Sequence, residues 1–201
     1  MSGIGLGEKR TWSRYPYKMK KEVRIHIGEL YACDCPTVIN TLLGSCVAVC
    51  LMDPVKRIGG MNHILLPGKP DLKRFDDSAR YGINAMELLI NRIIDLGGNR
   101  RRLAAKVFGG AHVLPSMSRD NGMGEKNAAF VLDFLKNEDI KVSSKDTGGD
   151  EPRRIYFHTD TGDVFLKRIR PTLIRGVARQ EKRLLSRVRR EAVRPGEVDM
   201  F

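Results

Sequence analysis

The stretch from Thr37 to Pro67, TVINTLLGSCVAVCLMDPVKRIGGMNHILLP, most limits what this chain can fold into. Short apolar runs bounded by turn residues read as strands. Here they give a strand, a tight turn at Leu-Gly-Ser, a second strand, a connection built on Pro and Gly, and a third strand. Cys46 falls where the first turn meets the second strand, and His63 falls late in the third. Adjacent antiparallel strands lie about 5 Å apart. A hairpin can therefore bring this thiol and this imidazole together, and such a pair makes a nucleophile and its base.

The flanking chain supplies sheet and helix around that centre. Residues 1–21 form a basic lead. Val23, Ile25 and Ile27 alternate with Glu22, Arg24 and His26, which predicts one half-buried strand over 22–29, ended by Gly28, with a connection over 31–36. A helix is predicted from Ser78 to Leu96, capped by Asp76, Asp77 or Ser78 and stopped at Gly97-Gly98. Its polar stripe is Arg80, Asn84, Glu87, Asn91 and Asp95, and its broad apolar face suits packing on a sheet. A buried strand over 103–108 precedes Gly109-Gly110 and His112, a candidate second base. A second helix over 125–137, a strand over 140–144 and a hairpin of 154–158 with 164–169 complete the domain. The basic run over 175–193 reads as a helix or tail. The expected division is a lead at 1–21, one domain at 22–170 and a basic C-terminal tail at 171–201.

Composition narrows the function classes. A chain of 201 residues suits a single domain with a full core. No apolar run approaches the roughly 20 residues of a membrane helix, and the N-terminus lacks the apolar centre of a secretory signal. The expectation is a cytoplasmic protein with reduced cysteines. Cys33, Cys35, Cys46 and Cys50 could supply four thiolates to zinc, but Cys46 and Cys50 flank and enter the strand-like VAVCLM, so no metal and no organic cofactor are expected. Cys50 reads as a small core residue. The net charge of +12, concentrated beyond Lys167, points to acidic partners. Aromatics are scarce in the tail and no nucleic-acid motif is present, which argues against nucleic acid.

Taken together, LGSCVAVCLMDP, GGMNHILLP, RYGINAMELLIN, KVFGGAHV, GEKN and DTGG resemble the CheD family of chemoreceptor glutamine deamidases, over roughly residues 23–169. The resemblance implies a layered α/β/β sandwich similar to the deamidase domain of cytotoxic necrotizing factors. It implies that Cys46 is the nucleophile and His63 the base, and that the chain deamidates glutamines of chemoreceptor cytoplasmic helices without a cofactor. It also implies an alternative role as a binding and regulatory partner of the CheC phosphatase. Family members commonly carry a threonine six residues before the cysteine. This chain has Asn40 there and Thr41 one position later. Neighbouring strand residues face opposite ways, so one of the two reaches His63. Register favours Asn40.

Overall fold

The computed structural model describes residues 20–66, 77–113, 122–169 and Ser186. Their chain order is β1 (Lys21–Arg24), β2 (Leu30–Cys33), β3 (Thr37–Leu43), β4 (Val47–Asp53), β5 (Ile58–Ile64), α1 (Asp77–Asp95), a 3-10 turn (Arg100–Arg102), β6 (Ala104–Gly109), α2 (Met123–Asn137), β7 (Lys141–Thr147), β8 (Arg153–His158) and β9 (Val164–Arg168).

The strands form two sheets, one ordered β1-β3-β8-β9 and the other β2-β5-β4-β6-β7. Both helices pack on one face of the five-stranded sheet. There Met86, Leu89, Ile90 and Ile93 of α1 and Phe130, Val131, Phe134 and Leu135 of α2 meet Val47, Val49, Leu51, Ala105 and Val107. The opposite face meets the four-stranded sheet through Ala48, Cys50, Met61, Ile39, Leu43, Ile155 and Phe157. The result is the expected α/β/β layering. It explains why β4 opens as an unbroken apolar run, VAVCLM, and why every residue of β5 is buried: a sheet covered on both faces has no solvent side to mark with polar residues. Each fully buried Leu or Ile adds roughly 1.5–3 kcal/mol of transfer free energy, before chain entropy is set against it.

Two expectations are corrected. The single strand predicted over 22–29 is broken: β1 stops at Arg24, and the chain turns through Ile25–Glu29 before β2 begins at Leu30. Gly28 takes φ +83°, a left-handed conformation that ends a strand. The first half of the connection predicted over 31–36 belongs to β2, which pairs antiparallel with β5. The first and second strands of the central stretch also part company, since β3 joins the four-stranded sheet and β4 the five-stranded one. The lead up to residue 19, the loop around Pro70 and the basic tail apart from Ser186 lie outside the described residues, and Lys21, expected at the end of the lead, opens β1.

Candidate active site

β4 and β5 are antiparallel neighbours, with Ala48 opposite His63 and Val47 opposite Ile64. Cross-strand partners share a face, and alternate residues along a strand share it too. Cys46, Ala48, Cys50, Met61 and Leu65 all belong to the core between the two sheets. His63, paired with Ala48, points the same way. Cys46 precedes β4 by one residue and so lies diagonal to His63. Such diagonal positions have Cα atoms about 7–8 Å apart, within reach of a ring side chain.

His63 is 3% exposed, and each of its own polar atoms has a partner except Nε2. Its Nδ1 lies 2.8 Å from Thr41 Oγ1. That hydroxyl has a single hydrogen and donates it to the Ile25 carbonyl at 2.8 Å. Thr41 must then accept from His63, which assigns the proton to Nδ1 from the hydrogen-bond network. Nε2 is left as a bare acceptor, buried and without a partner. The backbone of His63 is clamped as well: its N–H donates to the Glu29 carbonyl at 3.0 Å, and its carbonyl accepts from Gly28 N–H at 2.8 Å. The broken strand over 25–29 is thus the cradle of the imidazole.

The preference for Asn40 as partner of His63 is corrected. Thr41 shares the inward face of β3 with Ile39 and Leu43, so Asn40 points to the opposite face of that strand, where it is buried away from the ring. Its Nδ2 donates to Glu22 Oε1 at 2.8 Å and to the Val23 carbonyl at 3.3 Å.

Burial, and secondarily the charge of His26, pushes the His63 imidazole down to about 3. It therefore rests neutral at pH 7, with a lone pair on Nε2. Burial pushes the Cys50 thiol well up, which makes that cysteine an inert core residue, as its sequence setting indicated.

The turn that carries Cys46 is tied down by three successive carbonyls. Gly44 accepts from Ala111 N–H at 2.8 Å, Ser45 from Asn127 Nδ2 at 2.9 Å, and Cys46 from Gly110 N–H at 2.7 Å. Asn127, fully buried on α2, also accepts from Leu66 N–H at 3.1 Å through Oδ1. One side chain thus links the turn before Cys46 to the residues just after His63. Sequence reasoning missed this role, although an amide set among Ala128, Val131 and Leu135 on an apolar helix face was a signal that it must find partners inside.

The other histidines are elsewhere. His112 follows β6, which flanks β4 on the side away from β5. Its backbone donates to the Gly149 carbonyl at 2.7 Å, and it lines a hollow of about 190 Å³ with Gly110, Gly124 and Asp150. His26 is exposed on the cradle turn. His158 meets Phe165 edge-on at 5.2 Å. Among the described residues, no group of three or more His, Cys, Asp and Glu side chains could hold a metal ion, and no helix is long and apolar enough to cross a membrane.

The family model for CheD chemotactic sensory transduction matches residues 65–168, a span that opens two residues after His63. A Shewanella oneidensis protein named "Probable chemoreceptor glutamine deamidase CheD 1" is 49% identical over 75% of this chain and 74% of its own length. A Thiobacillus denitrificans protein named "Probable chemoreceptor glutamine deamidase CheD" is 44% identical over 87% of this chain and 86% of its own. "Probable chemoreceptor glutamine deamidase CheD 2" of Chromobacterium violaceum is 41% identical over 89% of both chains. Identity at this level, spread over more than two thirds of each sequence, is that of one fold with one history, and the chain belongs to the CheD family.

Proposed function

We propose that the chain is a protein-glutamine deamidase that converts glutamine side chains of chemoreceptor cytoplasmic helices to glutamate and releases ammonia. The observation that carries the reading is the buried His63, held by Thr41 through Nδ1, with Nε2 bare on the face it shares with Cys46. The names of the relatives supply the substrate class.

Cys46 is the nucleophile. Its thiol proton passes to Nε2 of His63 as sulfur attacks the carboxamide carbon of the glutamine. Backbone amides of the Gly44–Cys46 turn stabilise the oxyanion, and the three tied carbonyls keep that turn from shifting as charge develops. The imidazolium then protonates the departing nitrogen, ammonia leaves and a thioester remains. Water, deprotonated by His63, attacks the thioester carbon; the thiolate departs and recovers its proton, and the product is glutamate. Thr41 accepts the Nδ1 proton throughout and holds the ring in one tautomer.

The reaction takes place in the cytoplasm, where the receptor helices lie. Association with the CheC phosphatase is the further partnership that the family resemblance implies. Purified chain mixed with a receptor cytoplasmic fragment should release ammonia and raise the fragment's mass by about 1 Da per site, the difference between an amide and an acid made by this thiol chemistry. The Cys46→Ala chain should do neither while still binding the fragment and the phosphatase. Undiminished mass gain with Cys46→Ala would sink the reading.

A further inference from the structure

Cys33 and Cys35 flank Asp34 at the bend between β2 and β3, away from the proposed nucleophile. Cys33 is buried and Cys35 exposed. The Cys33 sulfur lies 3.0 Å from the Cys35 carbonyl and 3.2 Å from Thr37 Oγ1. The Cys35 sulfur lies 3.6 Å from the same hydroxyl. Both sulfurs therefore converge on one oxygen. Thr37 is held in place by its N–H, which donates to Thr159 Oγ1 at 3.0 Å. The Lys21 ammonium, fixed on the Tyr31 hydroxyl at 3.0 Å, is within electrostatic reach of both sulfurs. Thiolate is the form that oxidants attack.

We propose that Cys33 and Cys35 are a modification site, an attacking and a resolving thiol that a peroxide closes to an intramolecular disulfide. The exposed Cys35 thiolate attacks one peroxide oxygen. An S–O bond forms, the O–O bond breaks, and the second oxygen leaves as water after taking a proton. The Cys33 thiol then attacks the Cys35 sulfur of that sulfenic acid. An S–S bond forms, the S–O bond breaks, and a second water departs with the Cys33 proton. Two thiols lose two electrons in all, and one peroxide is reduced to two waters. Cys46 is only 1% exposed and Cys35 is open, so the oxidant meets Cys35 first. The staple forms beside Thr37, four residues along β3 from Thr41, and at the end of β2 that pairs with Gly59 of β5. It spans the joint between the two sheets.

The test uses the full reduced chain treated with hydrogen peroxide, blocked with an alkylating agent and cut before aspartate. Cleavage before Asp34 separates Cys33 from Cys35 unless a bond holds them. The expected result is peptide 1–33 joined to peptide 34–52, about 2 Da lighter than the same peptides with both thiols free and parted by a reductant, with fragmentation placing the alkyl groups on Cys46 and Cys50. Cys35→Ser should leave Cys33 reduced and open to alkylation once the chain is unfolded. Cys33→Ser should instead drive Cys35 to sulfinic acid, about 32 Da heavier. A wild-type chain in which Cys35 goes to sulfinic acid while Cys33 stays alkylatable would overturn the proposal. So would a bond that joins either cysteine to Cys46, Cys50 or a second chain. The outcome does not depend on what the enzyme deamidates.

Discussion

A hydroxyl with one hydrogen decides how the imidazole of His63 can be used. Thr41 spends its proton on Ile25 and must accept from Nδ1, so the lone pair falls on Nε2. Thr41→Val keeps the shape and removes the acceptor, leaving an N–H buried with no partner. A hydrogen bond to a group that becomes charged is worth about 1.5–3 kcal/mol. Turnover should therefore fall roughly 10- to 100-fold, with far-UV circular dichroism unchanged. Asn40→Ala should stay within about threefold of the parent, because its amide serves Glu22 and Val23 rather than the ring. Equal losses in the two variants would return Asn40 to the site. The pH dependence follows from the same ring. His63 must be neutral to take a proton, and it is held at about 3 against an ordinary 6.5. The acid limb of kcat/KM should then lie well below pH 6.5; a limb centred there would mean that the working ring is solvated. Folding is linked to this value with a definite sign. The depressed group leaves stability intact above 6.5 and erodes it as pH falls toward 3, because the unfolded chain binds the proton first. His63→Gln should show a shallower loss of stability over that window in denaturant titrations. The Cys46 and His63 positions were legible in the sequence because turn residues bracket them. The choice between Asn40 and Thr41 was not, because a shift of one residue reverses the faces of a strand and the sequence carries no marker of which face meets the partner sheet.

At the scale of elements, the site depends on where loops at one end of the five-stranded sheet are pinned. β6 ends at Gly109 with φ +113°, and a Cβ there would collide with the Cys46 carbonyl. Gly109→Ala thus combines a disfavoured backbone with a direct push on the peptide of Cys46, the proposed nucleophile. It should cost about 3 kcal/mol of unfolding free energy and lower activity further than that loss explains, read from chemical denaturation beside kinetics at a temperature where the variant stays folded. Full activity in a stably folded variant would show that the turn tolerates displacement. Asn127→Leu fills similar space but removes the bond to the Ser45 carbonyl and the one from the Leu66 N–H, each at roughly 1–3 kcal/mol. Its instability should come with reduced turnover, since both strand ends lose their common anchor. Helix periodicity made α1 and α2 readable to within a few residues at their ends. The split of 22–29 into β1, a cradle and β2 was hidden, because Ile25 and Ile27 keep the strand alternation through a segment whose hydrogen bonds go to His63 and Asn40 instead of to a regular ladder.

Across the whole molecule, local periodicity identified most strands and both helices, and the family resemblance supplied the layer order. Which strand joined which sheet could not be read locally, since β3 pairs with β8 more than a hundred residues away. Charge is the remaining whole-molecule property, and it bears on encounter with substrate. The net charge is +12, and Lys167 to Arg194 is crowded with Arg and Lys. The proposed nucleophile and base lie just before β4 and on β5, far along the chain from that segment. If the segment steers the enzyme toward acidic receptor helices, it acts before chemistry begins. Exposed charges reach about 8 Å at physiological salt, so the effect must fade as salt rises. Truncation after Arg170 should therefore raise KM for an intact receptor fragment at low salt and leave kcat nearly unchanged. At high salt the two chains should converge. A short glutamine peptide without acidic flanks should be processed equally by both, because it offers nothing to steer. Steady-state kinetics on both substrates at two salt concentrations separates the possibilities. A loss of kcat on both substrates, indifferent to salt, would show instead that residues beyond Arg170 support the fold, through Leu184, Leu185 and Val188, and steering would have to be given up.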